Sequence, residues 1–328
     1  MNFHRTASGL TNLHIFVSVD VIIFVEGGRQ SFSIDDVAAG LFTKNSVDLK
    51  FWQNIFTIFL HNGRKLQFRA IGAKTTISSI ADLILNKQIT NVWVAMDRDH
   101  DCFHDKLRIA PGILYTYGYS WENDVCIPDV IENAFWALVQ IEMGSIPVRN
   151  EIEDLFAQIH NKLRKAVYLD ILISFYGGSL FPRDKPHTLC SLSGVNNKPS
   201  VNLAALSKLI RKLRRKYPRP IFLKRIIDME VARDCAGSVI ACFYYRVLQF
   251  LLKRHARLGN IEKKIIDNIM IEKLVAYFDR NRSGDIFAHY AGQFAMLYPG
   301  VDVQTKPFAK TKDHIFGFIS YLKKLFSG

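Results

Sequence analysis

The stretch Val21-Ile22-Ile23-Phe24-Val25-Glu26-Gly27-Gly28 decides the fold class of this chain. An unbroken β-branched and apolar run without alternation reads as a strand buried on both faces, as in a parallel sheet covered by helices. It stops at a carboxylate and two glycines, which permit a tight turn and close approach of a ligand to the backbone. Open α/β sheets bind ligands at the carboxyl ends of their strands, so Glu26 stands where chemistry is usually done. Asn91-Val92-Trp93-Val94-Ala95-Met96 is a second such run, and it ends in Asp97-Arg98-Asp99. If the chain stays extended past the strand, Asp97 and Asp99 project the same way. Carboxylates held that close repel one another unless a cation lies between them or one takes a proton. With Glu26 from a neighbouring strand they form a candidate site for one or two hard cations, Mg²⁺ or Mn²⁺.

Working outward, strands are predicted over 20–26, 65–71, 91–96 and 113–119. Helical spacing runs through Leu49, Phe51, Trp52, Ile55 and Phe56, and again through Ile77, Ile80, Ala81, Leu83 and Ile84. Ser33 or Asp35 caps a short helix, and His61-Asn62-Gly63 marks a turn. The order β-α-β-α-β-β fits a doubly wound parallel sheet. From about residue 128 the pattern becomes helical, over 129–142, 151–176, 202–215, 221–258 and 262–278, with a polar loop at 177–199. The chain divides into an α/β domain, 1–145, and an α-helical domain, 146–328.

The 328 residues are 49% hydrophobic, which excludes a disordered chain. They carry 43 Lys+Arg against 30 Asp+Glu, a net charge of +13, which points to a polyanionic partner, nucleic acid before an anionic membrane. Five scattered cysteines without CxxC spacing predict free thiols in a reducing compartment. Asp20 and Glu26 break the apolar N-terminal stretch, and no run reaches the length of a membrane span. The expectation is a soluble, cytoplasmic protein with no membrane partner.

Lys74, just past the second strand, is a candidate to neutralise a transition-state phosphate, against the plainer reading of a solvated loop lysine. Gly72-Ala73-Lys74-Thr75 lacks the first glycine of a phosphate-binding loop at the required spacing, so it does not read as a nucleotide-binding motif. His100 and His104 share a helical face, but nothing completes a zinc set, and they are expected on the surface. Residues 279–290 begin like a calcium loop but place Tyr290 where a bidentate Glu is needed, so a turn between helices is expected. Lys208, Arg211, Lys212, Arg214, Arg215, Lys216, Arg219, Lys224 and Arg225 form a run without one acid, which favours contact with a nucleic-acid backbone. Arg246, Lys253, Arg254 and Arg257 extend it, whereas Phe243, Tyr244 and Tyr245 are expected in the core.

Glu26-Gly27 followed two strands later by Asp97-Arg98-Asp99 resembles the TOPRIM domain of topoisomerases, primases and OLD-type nucleases. Tyr117-Gly118-Tyr119-Ser120-Trp121-Glu122-Asn123 is similar to an aromatic turn of the phage-defence branch, and makes Glu122 a fourth candidate ligand. The Glu-Gly-Gly start and helical second half look most like the AriB-like effectors of the PARIS anti-phage system. One departure is Gly28-Arg29-Gln30, where many relatives carry an acidic pair. The resemblance implies that Glu26 does acid–base work or holds metal, and that Asp97 and Asp99 bind Mg²⁺ or Mn²⁺. It further implies a toxic nuclease cleaving host tRNA after release from an ABC-type (AriA-like) ATPase, with a homodimer as the active species. The helical half would then serve substrate, partner and dimer contacts. The alternatives are an OLD-type DNA endonuclease and a non-catalytic sensor that binds nucleic acid.

Overall fold

Four parallel strands, β1 (Val21–Glu26), β2 (Leu66–Gly72), β3 (Val92–Met96) and β4 (Ile113–Tyr115), form one sheet in the order β2-β1-β3-β4. The computed structural model describes residues 7–28, 30–60, 63–72, 74–139, 147–217 and 228–297. Alternate residues of β1 enter two apolar clusters. Val21, Ile23 and Val25 pack with α4 (Val47–Phe59), and Ile22 and Phe24 with α5 (Lys74–Leu85). Both faces are therefore dry, which is why β1 shows no polar alternation. The second cluster also takes Leu10 and Leu13 from two short helices, α1 (Ala7–Thr11) and α2 (Leu13–Phe16). At α3 (Ile34–Ala38) the cap is Ser33: its hydroxyl accepts from Asp36 N, while Asp36 Oδ2 accepts from Ser33 N.

The first cluster continues into the helical half. It includes α6 (Trp121–Val125), α7 (Pro128–Val139), α8 (Val148–Ser174), α11 (Gly237–Ala256), α12 (Lys263–Arg280) and α13 (Asp285–Leu297). Phe294 of α13 meets Phe56 of α4 at 4.8 Å between ring centres, and Tyr290 meets Trp52 at 6.0 Å. Residues 140–146, where the expected domain boundary falls, lie outside the described residues, but one apolar cluster spans both sides of it. The end of β4 is clamped by α13: Tyr115 N donates to Gln293 Oε1 at 2.7 Å, and Tyr115 O accepts from Gln293 Nε2 at 2.9 Å.

Four expectations need correction. The strand predicted over 113–119 stops at Tyr115: Thr116 N still donates to Met96 O at 3.1 Å, but the donors after it leave the sheet. Tyr117 N and Gly118 N donate to the buried Asp124 carboxylate, and Tyr119 N donates to Arg233 O. The segment 177–199, expected as loop, contains a 3₁₀ turn Pro186–Leu189 and most of a hairpin, β5 (Cys190–Ser193) with β6 (Lys198–Val201). The helix predicted over 221–258 is broken into α10 (Val231–Asp234) and α11, with Cys235 extended between them. Asn123 Nδ2 donates to the carbonyls of Ala232 and Cys235 there, satisfying backbone that the break exposes. Residues 221–227 lie outside the described set. His100 is not on the surface: it is 3% exposed, with Nε2 bonded to Asp234 O.

Phe243 and Tyr244 are fully buried and Tyr245 packs against them, as core residues. A turn at Asn281–Gly284 joins α12 to α13. The five cysteines are free thiols. Among the described residues no helix is long and apolar enough to cross a membrane.

Candidate functional site

Glu26 closes β1 at an irregularity in its pairing with β2, after which Gly27 and Gly72 exchange backbone hydrogen bonds at 3.3 and 2.9 Å. Gly27 (φ +114°), Gly28 (φ +101°) and Gly72 (φ +81°) all adopt the conformation that side chains disfavour. The reason at Gly27 is close approach: a Cβ there would collide with the Asp48 carboxylate. Asp48 lies in the first turn of α4, which Ser46 caps. Its oxygens accept from Gly28 N and from Trp121 Nε1, each at 3.2 Å.

At the end of β3, Asp97 N donates to Glu26 Oε2 at 3.2 Å. The chain does not stay extended beyond it. Asp99 takes a left-handed backbone (φ 49°), and its N–H donates to Tyr119 O at 2.8 Å. Asp97 and Asp99 therefore do not project as successive same-face residues of a strand, contrary to the sequence expectation. The Asp99 carboxylate takes the Lys74 ammonium, which also pairs with Asp101 at 2.9 Å. Between the two aspartates, Arg98 turns back to the fully buried Asp234, 2.8 Å away. Glu122, in the first turn of α6, accepts from Ser120 Oγ at 2.6 Å.

Burial, and then the Asp99 charge, raise the Glu26 carboxyl from 4.5 to about 8, against the lowering pull of Lys74. Asp97 is raised well above the carboxylate range by burial and by the charges of Glu26, Glu122, Asp99 and Asp48. Burial likewise raises Asp48 and Glu122. Lys74 is shifted the other way from a buried amine, its ammonium held by Asp99 and Asp101. These shifts describe carboxyls close enough to compete for ionisation, and such perturbed groups gather at functional sites.

Glu26, Asp97, Asp99 and Glu122 are thus brought to one edge, with Lys74 beside Asp99. Asp48 joins them, and nothing in the sequence separated it from an ordinary helix-capping acid. Every donor is a carboxylate oxygen, which suits a hard divalent cation in kind. Their arrangement does not yet converge: among the described residues no group of three or more His, Cys, Asp or Glu is disposed to hold a metal ion. Lys74 occupies Asp99, while Asp48 and Glu122 are engaged by neighbouring donors.

The basic run lies elsewhere. Lys208, Arg211, Lys212, Arg214, Arg215 and Lys216 are exposed on α9 (Leu203–Lys216), of which only Leu206 is fully buried. Arg219, Lys224 and Arg225 lie outside the described residues. Of the extension, Arg254 is paired with Glu151 at 2.6 Å and Arg246 rests on the Tyr245 ring. His104 bonds Ser174 Oγ at 2.8 Å. No protein-family model and no curated protein matches this chain.

Proposed function

We propose that this chain is a divalent-cation-dependent endonuclease of TOPRIM type, acting on RNA with tRNA as the preferred substrate. The observation that carries the reading is the meeting of Glu26 and Asp97 across adjacent strand ends, with both carboxyls raised by crowding and burial. Glu26, Asp97, Asp99 and Glu122 would hold Mg²⁺ or Mn²⁺, with Lys74 releasing Asp99 as it does so. What such a cation supplies is charge neutralisation at the phosphoryl group and activation of the attacking water. Glu26 holds or releases a proton near neutral pH, the range in which a general acid–base is most useful. Lys74, once freed, offers its ammonium to the phosphate as charge develops.

The substrate preference rests on the resemblance of Glu26-Gly27, Asp97-Arg98-Asp99 and 117–123 to AriB-like effectors. The same resemblance supports a role as toxin of an anti-phage system, held by an ABC-type ATPase and active as a homodimer in the cytoplasm. The exposed basic face of α9 supports a nucleic-acid partner.

The test combines binding and cutting. Mg²⁺ or Mn²⁺ should raise the melting temperature, since a ligand bound by the native state stabilises it. Asp97→Ala with Asp99→Ala should abolish that rise. Labelled tRNA should be cut by the wild type and spared by Glu26→Ala. Cutting of plasmid instead would support the OLD-type alternative. Tight binding without cutting of either, unchanged by Glu26→Ala, would leave the sensor.

A further inference from the structure

We infer that Arg183 holds a phosphate of the nucleic-acid backbone beside Asp99, carrying the basic face of α9 into the carboxylate edge. The inference rests on the nuclease reading of that edge. Arg183 lies in the segment between α8 and the Pro186–Leu189 turn, far from the edge in sequence. That segment is fixed by Asp170, which is 1% exposed. Asp170 Oδ1 accepts from Leu180 N at 2.5 Å, Ser179 Oγ at 3.0 Å and Phe181 N at 3.4 Å.

So anchored, the segment sets the Arg183 guanidinium 5.3 Å from the centre of the Tyr119 ring. Tyr119 belongs to the site. Its carbonyl accepts from Asp99 N, and its ring stands edge-on to His100 at 4.8 Å. Its hydroxyl is buried and interacts with the Asp99 side chain, the strongest charge acting on it. An arginine, a buried tyrosine and a candidate ligand therefore stand next to one another.

The neighbouring cations are already neutralised: Lys74 by Asp99 and Asp101, Arg98 and Arg233 by Asp234. Arg183 is exposed, and among the described residues no salt bridge involves it. A guanidinium is charged at every working pH, and its planar fork matches the oxygens of a phosphate. Stacking on Tyr119 limits its rotamers, so less freedom is lost when an anion binds. The same segment begins against the end of α9, where the rings of Tyr176 and Tyr217 lie 6.0 Å apart. The segment that carries Arg183 therefore starts beside the C-terminal end of the helix that bears Arg211, Arg214 and Arg215.

The experiment measures binding of a fluorescein-labelled tRNA pool by anisotropy across a KCl series, in EDTA so that nothing is cut. Arg183→Ala should weaken binding on the order of tenfold. It should also lower the slope of log K against log salt by about 0.7–0.9, the share of one phosphate contact. Arg183→Lys, which keeps the charge, should restore most of the slope. A merely structural role would move the melting temperature and leave the slope alone. The inference is overturned if wild type cuts tRNA while Arg183→Ala matches its affinity and slope. If wild type neither binds nor cuts tRNA or duplex DNA, the nuclease reading itself falls.

Discussion

Glu26→Gln should make the cation-free protein more stable, and increasingly so as pH rises. Folding takes the Glu26 carboxyl from 4.5 to about 8. Between those values the native state keeps a proton that the unfolded chain has released, so stability falls with pH through this window. At 1.36 kcal/mol per pH unit the full penalty approaches about 5 kcal/mol above pH 8. About 2 kcal/mol of it accrues between about pH 6 and pH 8. Asp97 titrates with Glu26 and is raised in the same direction, so the measured slope belongs to the pair. Gln keeps an oxygen to accept from Asp97 N, removes the charge and relieves Asp97 of its strongest neighbour. The assay is urea unfolding in EDTA at several pH values, followed by tryptophan fluorescence and circular dichroism. The variant should lose at least half of the wild-type fall across that range. Parallel profiles for the two proteins would mean that Glu26 ionises normally, and the account of a crowded acidic edge would be refuted.

Asp234→Ala should cost about 3–5 kcal/mol in the same assay, because it strands the Arg98 guanidinium and leaves Arg233 with only Asp228. Asp234 is fully buried and is bonded by Arg98 at 2.8 Å and Arg233 at 2.9 Å; a loss under about 0.5 kcal/mol would show the network to be dispensable. Gly27→Ala should destabilise by about 1–3 kcal/mol through backbone strain and displacement of Asp48. Gly63→Ala, also at positive φ but facing open space, serves as the control with the smaller loss; equal melting-temperature shifts would remove the steric argument at Gly27.

What was legible in the sequence follows from how strongly each residue's surroundings constrain it. β1 and β3 are dry on both faces, and only apolar runs satisfy that, so both strands and their terminal carboxylates could be read directly. The helices α4 and α5 each bury one stripe and show it as spacing. The hairpin β5–β6 was hidden because four-residue strands carrying Pro199 and several serines lack an apolar signature. The break before α11 is satisfied by Asn123, more than a hundred positions away, which local pattern does not report. Asp48 and Arg183 were invisible for the same reason. An acid in a first helical turn and an arginine in a polar loop have ordinary local explanations, and only packing brings them to Gly27 and Tyr119.

The clamp on Tyr115 also sets an order of assembly. Chains leave the ribosome N-terminus first, and the carboxylates of this edge emerge within the first half of synthesis. The partners that finish the edge arrive much later: Gln293 bonds both backbone groups of Tyr115, and Tyr290 donates to the same Asp124 that fixes the turn at Tyr117 and Gly118. Until α13 has emerged, Tyr115 lacks its bonds from Gln293 and the Asp124 carboxylate lacks its bond from Tyr290. A nascent or prematurely terminated chain therefore carries the carboxylates without the strut that holds their edge in place.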